Sequence, residues 1–237
     1  SLIVPGHPHA AKDSAFAHAC GHHTQIATML AVSAALSDPD VRGELHGNVA
    51  FFAVPAEEYI ELEYRQELVA QGKLEFMGGK AELVRVGELD DVDIAMLTHS
   101  SSTPNEGLIA VESVNNGAIA KQARFIGVQA HAGSSPHRGV NALQAAMLAM
   151  AGINANRETF QDPDSIRVHP IVTKGGDVVN AVPADVRMEM FVRGRNLDAI
   201  ADADRKVERA LKAGALSVGA KVEINTFSAY LPMSHNP

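Results

Sequence analysis

The sequence predicts an α/β protein with two domains, an open α/β sheet followed by a ferredoxin-like domain. First, short apolar runs typical of buried parallel strands alternate with helical patterns over residues 1–114. Second, polar residues suited to chemistry come directly after two of these runs, where functional side chains collect in open α/β sheets. Third, residues 115–228 carry elements in the order β-α-β-β-α-β, the split βαβ arrangement of ferredoxin-like domains.

The elements of the first domain follow from hydrophobic spacing. Residues 1–16 are rich in Pro, Gly and His without periodicity, and they predict a loop. A helix follows, because four apolar residues lie on one face of it: Ile26, Met29, Leu30 and Leu36. Residues 37–40, Ser-Asp-Pro-Asp, are expected to end this helix. The remaining patterns predict two buried strands, at residues 49–54 and 92–97, and two helices, at residues 61–71 and 80–86.

The elements of the second domain begin after Asn115-Asn116-Gly117. Alternating and helical patterns predict, in chain order, strand 118–127, helix 140–153, strands 166–174 and 184–193, helix 197–213 and strand 221–227. In the strand at 184–193, one face is expected to carry the apolar residues Val186, Met188, Met190 and Val192.

Composition narrows the class of protein. The chain has 237 residues, of which 46% are hydrophobic, so it is globular and has enough apolar residues for a sizeable core. Its 20 basic and 28 acidic side chains give a formal net charge of 20 − 28 = −8, and the sequence contains no basic run. Both features argue against a nucleic-acid partner. The apolar runs are too short for a membrane span, and no membrane association is expected. A single cysteine excludes an internal disulfide and favours a reducing cytoplasm.

The single cysteine lies in a cluster of potential metal ligands, His18-Ala-Cys20-Gly-His22-His23. Cys20 and His22 are two residues apart, so they cannot share a helix face, but they can point the same way from an extended loop. One alternative is that Cys20 is a small buried hydrophobe and the histidines are polar loop residues. Another is that Cys20 is a nucleophile, which would need a positioned base and an oxyanion site.

Two further candidates come after the predicted buried strands. Glu57 and Glu58 follow the first strand, where successive side chains point to opposite sides, so one carboxylate could bind metal while the other faces water. The alternative is a solvated acidic loop, since Glu61 and Glu63 follow. His99 follows the second strand, and by itself it would more often be a hydrogen-bonded loop histidine.

Five motifs in order resemble the dinuclear metal amidohydrolases. They are His18-Ala-Cys20-Gly-His22, Pro55-Ala-Glu57-Glu58, the strand-ending His99, Ala130-His131-Ala-Gly-Ser-Ser-Pro136, and Gly175-Gly-Asp-Val-Val-Asn180-Ala-Val-Pro183. The family includes aminoacylases and the carboxypeptidase G type. The Cys-Gly-His variant is most similar to the aminobenzoyl-glutamate and auxin-conjugate hydrolases. The resemblance implies a zinc-peptidase-like catalytic domain over residues 1–114, a dimerisation domain over 115–228, and a segment at 229–237 that returns to the catalytic domain.

The resemblance also implies roles for individual residues. Cys20, His22, Glu58 and His99 match metal ligands, and Glu57 matches the general base. His131 matches a histidine that reaches the partner subunit's active site to stabilise the oxyanion. Asn180 and Arg193 lie where substrate-contacting residues are expected. The implied protein is a homodimeric hydrolase that holds two divalent metal ions (Mn, Zn or Co) and cleaves an amide bond of a small N-acyl amino acid or peptide-like substrate.

Two departures from the family pattern lead to further expectations. The residue after Cys-Gly-His is commonly Asp in the family but is His23 here, so an orienting carboxylate is replaced and metal affinity or choice is expected to shift. The chain is also expected to be truncated at both ends. At the start, Ser1-Leu2 looks like the remainder of a longer family segment. At the other end, the resemblance implies a final metal-binding histidine beyond the second domain, and His235 lies too close to that domain to match it. A non-catalytic dimerising or ligand-binding protein with a degraded metal site is the alternative function.

Overall fold

The computed structural model describes residues 2–13, 16–17, 20–59, 61–101, 107–109 and 114–233. The chain divides into two compact units, residues 1–110 and residues 111–237.

The first unit combines helices with one very short β-ladder. Strands β1 and β2 pair antiparallel, so the loop predicted for residues 1–16 is wrong at its two ends. Three helices were predicted at or close to their observed bounds, whereas α2 was missed. The elements are β1 (Leu2–Ile3), β2 (Phe16–Ala17), α1 (His22–Leu36), α2 (Pro39–Gly43), α3 (Leu62–Ala70) and α4 (Gly79–Arg85).

Helix α2 begins at the residues that were expected only to end α1. The Asp38 side chain accepts a hydrogen bond from the backbone N–H of Asp40 at 2.9 Å, and Pro39 occupies the first helical position. An Asp cap followed by Pro is a helix start signal, because Pro lacks the N–H that would otherwise lack a partner there. The same residues therefore stop one helix and start another.

The two buried strands predicted at residues 49–54 and 92–97 are wrong as far as the described residues go. Neither segment pairs as a strand with any described residue, and most of their side chains are exposed. Ile94 is 82% exposed and Met96 is 93% exposed. A run of apolar residues becomes a buried strand only when neighbouring strands supply hydrogen bonds and a covering layer, and the described residues of this unit supply neither. The open α/β sheet expected for residues 1–114 is accordingly not seen among them.

The second unit contains a four-stranded antiparallel sheet with two helices. Its elements are β3 (Gly117–Ile126), α5 (Ala142–Ala155), β4 (Arg167–Lys174), β5 (Asp185–Gly194), α6 (Leu197–Val218) and β6 (Lys221–Tyr230). The strands lie in the order β4-β5-β3-β6, with every neighbouring pair antiparallel. Both β-α-β connections place a third strand between the strands they join, as in a split βαβ unit. The predicted β-α-β-β-α-β order is confirmed.

The core of this unit lies between one face of the sheet and the two helices. Val186, Met188, Met190 and Val192 are all buried, which confirms their predicted common face. Asn141 caps α5 and Asn196 caps α6. The side chain of each accepts at least one hydrogen bond from a backbone N–H group in the first turn of its helix. Helix α6 runs five residues beyond its predicted end at Ala213, because Gly214 and Ala215 continue its buried face.

Candidate metal centre

Three of the predicted metal ligands converge in the first unit. Cys20 lies just before α1, His22 is the first residue of α1, and Glu58 lies in the segment before α3. One ligand atom from each, the Cys20 thiol sulfur, a His22 ring nitrogen and a Glu58 carboxylate oxygen, all lie within 4.8 Å of one another. Residues 38 positions apart in the chain thus form one donor cluster.

Gly21 sets the direction in which Cys20 and His22 point. Its φ is +98°, in the left-handed region, and it caps the N-terminus of α1. A Cβ atom at this position would be strained and would also clash with the hydroxyl of Ser100. The backbone therefore turns sharply between Cys20 and His22, and their side chains lie on the same side although they are only two residues apart.

His99 lies beside Cys20 but outside the group of three residues whose ligand atoms are all within 4.8 Å of one another. Its Nε2 lies 3.8 Å from the Cys20 sulfur, and its Nδ1 lies 2.7 Å from the carbonyl oxygen of Ser100. A carbonyl only accepts hydrogen bonds, so Nδ1 carries the proton and Nε2 keeps its lone pair toward the cluster. The Gln25 side chain of α1 donates to the carbonyl of Thr98 at 2.6 Å, which ties this segment to the helix that begins with His22.

Glu57 lies beside the cluster and is held from two sides. One carboxylate oxygen is 3.1 Å from His22 Nε2, and the other is 3.1 Å from the ammonium group of Lys80 on α4. The other His22 ring nitrogen, Nδ1, is 3.8 Å from the Glu58 carboxylate. The two adjacent glutamates therefore approach different atoms of the same imidazole. Lys80 was not among the predicted site residues, because a lysine near the start of a surface helix has no signature in sequence.

The electrostatics of the cluster fit a divalent cation. Partial burial, together with the Glu58 and Glu57 carboxylates, raises the pKa of the Cys20 thiol. A cation held by the same groups would oppose this effect, because it stabilises a thiolate and a carboxylate together. Sulfur, imidazole nitrogen and carboxylate oxygen are also the donor types that zinc accepts. The residues present therefore suit a metal ion.

His131 lies in the second unit, in the loop between β3 and α5. Its Nδ1 accepts hydrogen bonds from the backbone N–H groups of Gly133 and Ser134, at 3.2 and 3.1 Å. The proton of the neutral ring is therefore on Nε2, and the exposed ring presents an N–H donor. The backbone carbonyl of Asn180 accepts from the N–H of Ala132 at 2.8 Å, so the loops of His131 and Asn180 lie side by side.

Arg193 lies near the end of β5 in the same unit. Its guanidinium group stacks over the Phe191 ring, 4.8 Å from the ring centroid, and Arg193 is opposite Arg167 of the neighbouring strand β4. Because paired positions share a face of the sheet, both arginines add positive charge to the same face. Of the remaining cluster residues, His23 is exposed, and His18 lies outside the described residues.

Residues 114–218 match the peptidase dimerisation domain of the M20 peptidases. The chain is 28% identical over 220 residues to a Mus musculus protein named Xaa-Arg dipeptidase, covering 90% of this chain and 44% of that protein. It is 30% identical over 188 residues to a p-aminobenzoyl-glutamate hydrolase homolog from Haemophilus influenzae, covering 79% and 40% respectively. The second unit contains an M20 peptidase dimerisation domain. The family resemblance drawn from the five motifs is thereby confirmed.

The likeness to a solved structure extends along nearly the whole chain. A solved structure from methicillin-resistant Staphylococcus aureus superposes with a TM-score of 0.67 at 22% identity, covering 98% of this chain and 58% of that one. The chain spans less than half the length of the two relatives above. Among the described residues, no helix combines the length and the apolar character needed to cross a bilayer.

Proposed function

We propose that this chain is part of a metal-dependent hydrolase that cleaves the amide bond of a small N-acyl amino acid or peptide-like conjugate. The observation that carries the proposal is the convergence of Cys20, His22 and Glu58, with Glu57 against the same imidazole. The relatives' names support the substrate class, because a dipeptidase and an aminobenzoyl-glutamate hydrolase both act on an amide of an amino acid.

In the proposed site, Cys20, His22, Glu58 and His99 hold two divalent ions, with Mn, Zn and Co as the candidates. When bound, such ions polarise a carbonyl group and lower the pKa of water. Glu57 then takes a proton from the attacking water and delivers it to the leaving nitrogen, which is the usual work of a general base and acid. The Lys80 ammonium holds the Glu57 carboxylate in place for both transfers.

In the same proposal, the second unit supplies the remaining groups. The Nε2–H of His131 donates to the developing oxyanion of the partner subunit's substrate. Asn180 and Arg193 contact the substrate, and the Arg193 guanidinium suits a carboxylate. The protein would be a homodimer formed through the M20 dimerisation domain, and its single cysteine favours a cytoplasmic location.

The central test combines metal content with one isosteric substitution. Purified protein is expected to contain Zn, Mn or Co by elemental analysis. It is also expected to hydrolyse at least one member of a panel of N-acyl amino acids, aminobenzoyl-glutamate and dipeptides ending in Arg. Glu57→Gln should abolish turnover while leaving metal content unchanged, and Glu67→Gln, an exposed glutamate on α3, is the matched control. Turnover by Glu57→Gln at the wild-type rate would remove the assigned base.

A second candidate, a cysteine hydrolase, is favoured by one contact. The Cys20 sulfur lies 3.8 Å from His99 Nε2, which is an arrangement that a thiol nucleophile and its base could use. Against it, the raised pKa of Cys20 keeps the thiol protonated in the metal-free protein. Alkylation that inactivates the protein, together with full activity in the presence of chelators, would favour this candidate. A protein with neither bound metal nor activity would favour a non-catalytic ligand-binding role.

A further inference from the structure

Arg65 of α3 is a buried charged residue close to the candidate metal centre. Its exposure is only 8%, and arginine is rarely buried unless its donors are satisfied. Its Nη1 donates to two backbone carbonyls, that of Ala56 at 3.3 Å and that of Met77. The guanidinium also lies 6.0 Å from the centroid of the buried Tyr59 ring. Because these acceptors are carbonyls, Arg65 constrains the course of the backbone rather than neutralising an acid.

The first of these carbonyls belongs to a strained residue. Ala56 has φ +53°, a left-handed conformation that is unfavourable for an L-residue with a Cβ. Such a conformation persists only where surrounding contacts over-determine it. Ala56 immediately precedes Glu57 and Glu58, so its conformation sets the direction in which both carboxylates leave the backbone.

A second contact on the same carbonyl comes from the start of α4. The N–H of Gly79 donates to the Ala56 carbonyl at 3.2 Å. Any side chain at position 79 would overlap the carbonyl oxygen of Pro55, so this approach of two backbones requires glycine. Arg65 and Gly79 thus both donate hydrogen bonds to the Ala56 carbonyl. Lys80, the residue after Gly79, binds the Glu57 carboxylate.

We propose that Arg65 is a positioning residue that holds the Pro55–Glu58 segment in the conformation from which Glu58 binds metal and Glu57 reaches the reacting water. This inference rests on the function proposed above, and it adds a residue that touches neither metal nor substrate. Partners of metal ligands in an outer shell typically change metal affinity or activity by about 10- to 100-fold when they are replaced.

The test is a titration of the metal-free protein with Co²⁺. Binding is monitored by the thiolate-to-Co²⁺ absorption band that Cys20 would produce. Arg65→Met removes the donors but keeps an unbranched apolar stem, and we expect Co²⁺ affinity to fall by about 10- to 100-fold. Arg65→Lys keeps the charge with a single donor atom and should give an intermediate loss. Arg42→Met, which changes an exposed arginine of α2, should bind Co²⁺ like the wild type.

A double-substitution cycle separates positioning from general destabilisation. If Arg65 acts through Glu58, the effect of Arg65→Met on Co²⁺ affinity should largely vanish in a Glu58→Gln background. A structural role would instead lower the thermal unfolding midpoint and leave the affinity of the folded protein unchanged in both backgrounds. With an active substrate, Arg65→Met should lower kcat by a similar factor and change KM little.

The outcomes distinguish this inference from the function on which it rests. Wild-type protein that shows no Co²⁺ band would defeat the proposed metal site itself. Wild-type binding with unchanged affinity in Arg65→Met would leave the metal site standing and overturn the role of Arg65. Should Arg65→Met fail to fold, wild-type affinity in a folded Arg65→Lys protein would count against the inference in the same way.

Discussion

Lys121 offers a sharp test of the packing in the second unit. Its side chain is 0% exposed, and its ammonium group contacts the Asp204 carboxylate at 2.8 Å, the Glu208 carboxylate at 3.3 Å and the Thr226 hydroxyl. The two carboxylates are more accessible, with 22% and 34% of their side chains exposed. If Lys121 is removed, water can partly solvate the two acidic side chains. If the charges of the acids are removed, water cannot reach the Lys121 ammonium group.

This difference in exposure predicts which of two changes destabilises the second unit more. Removing the charges of both acids with Asp204→Asn and Glu208→Gln leaves an uncompensated buried ammonium, which should cost about 3–5 kcal/mol in the free energy of unfolding. Lys121→Met removes the buried charge and fills the space with an apolar stem. Asp204 Oδ1 would lose its buried partner, but both acidic side chains keep partial access to water, so the cost should be only about 1–2 kcal/mol.

Hydrogen exchange of strand β3 is the appropriate assay, because it reports the stability of this unit alone. At about 1.4 kcal/mol per tenfold change, the double variant should speed exchange by roughly 100-fold or more, and Lys121→Met by roughly 5- to 30-fold. A triple variant without any of the three charges should recover much of the loss. If Lys121→Met proves as damaging as the double variant, the argument from unequal exposure is wrong.

Two further predictions concern the candidate site. Gly21→Ala should destabilise the chain by about 1–2 kcal/mol and weaken Co²⁺ binding, because φ +98° disfavours a Cβ and Ser100 occupies its space. Gly43→Ala, with nothing within 4 Å of the added atom, is the control for the same titration. His131→Ala should lower kcat by about 10²–10³-fold through loss of an oxyanion donor, whereas His137→Ala in the same loop should not.

Each of these predictions has an outcome that would contradict it. Equal Co²⁺ affinity for the two alanine variants would show that the turn at Gly21 does not orient the ligands. For His131, equal amounts of His131→Ala and Glu57→Gln protein, each inactive alone, are mixed and allowed to exchange protomers. Action across a dimer predicts recovery of about a quarter of wild-type turnover, since half of the random dimers carry one intact site of two. No recovery would place His131 in the active site of its own protomer or outside catalysis.

The second unit was predictable because its signals are local. Alternating apolar residues on β5 predicted the buried face that the structure shows, and the helices carry regular apolar stripes. The segments at residues 49–54 and 92–97 were predicted wrongly, because an apolar run records a preference for burial but does not supply the strands that pair with it. Helix α2 was missed because Asp38 and Pro39 carry both an end signal and a start signal.

For the candidate site, the chain by itself determined the types of residue and their order. Cys20, His22, Glu57, Glu58 and His99 were all named from short motifs, and the structure brings all five into one region of the first unit. Local chemistry is enough for this, because a thiol, an imidazole and a carboxylate are recognisable wherever they occur.

Only the tertiary structure decided what holds these residues in place. The contact of His99 Nε2 with the Cys20 sulfur, the ion pair of Lys80 with Glu57, and the hydrogen bond of Arg65 to the carbonyl of the strained Ala56 all depend on atoms from other segments of the chain. Hydrogen-bond geometry is set by positions to within a few tenths of an ångström, and no spacing along a sequence encodes it. The sequence therefore identifies the candidate ligands, whereas the fold determines their orientation.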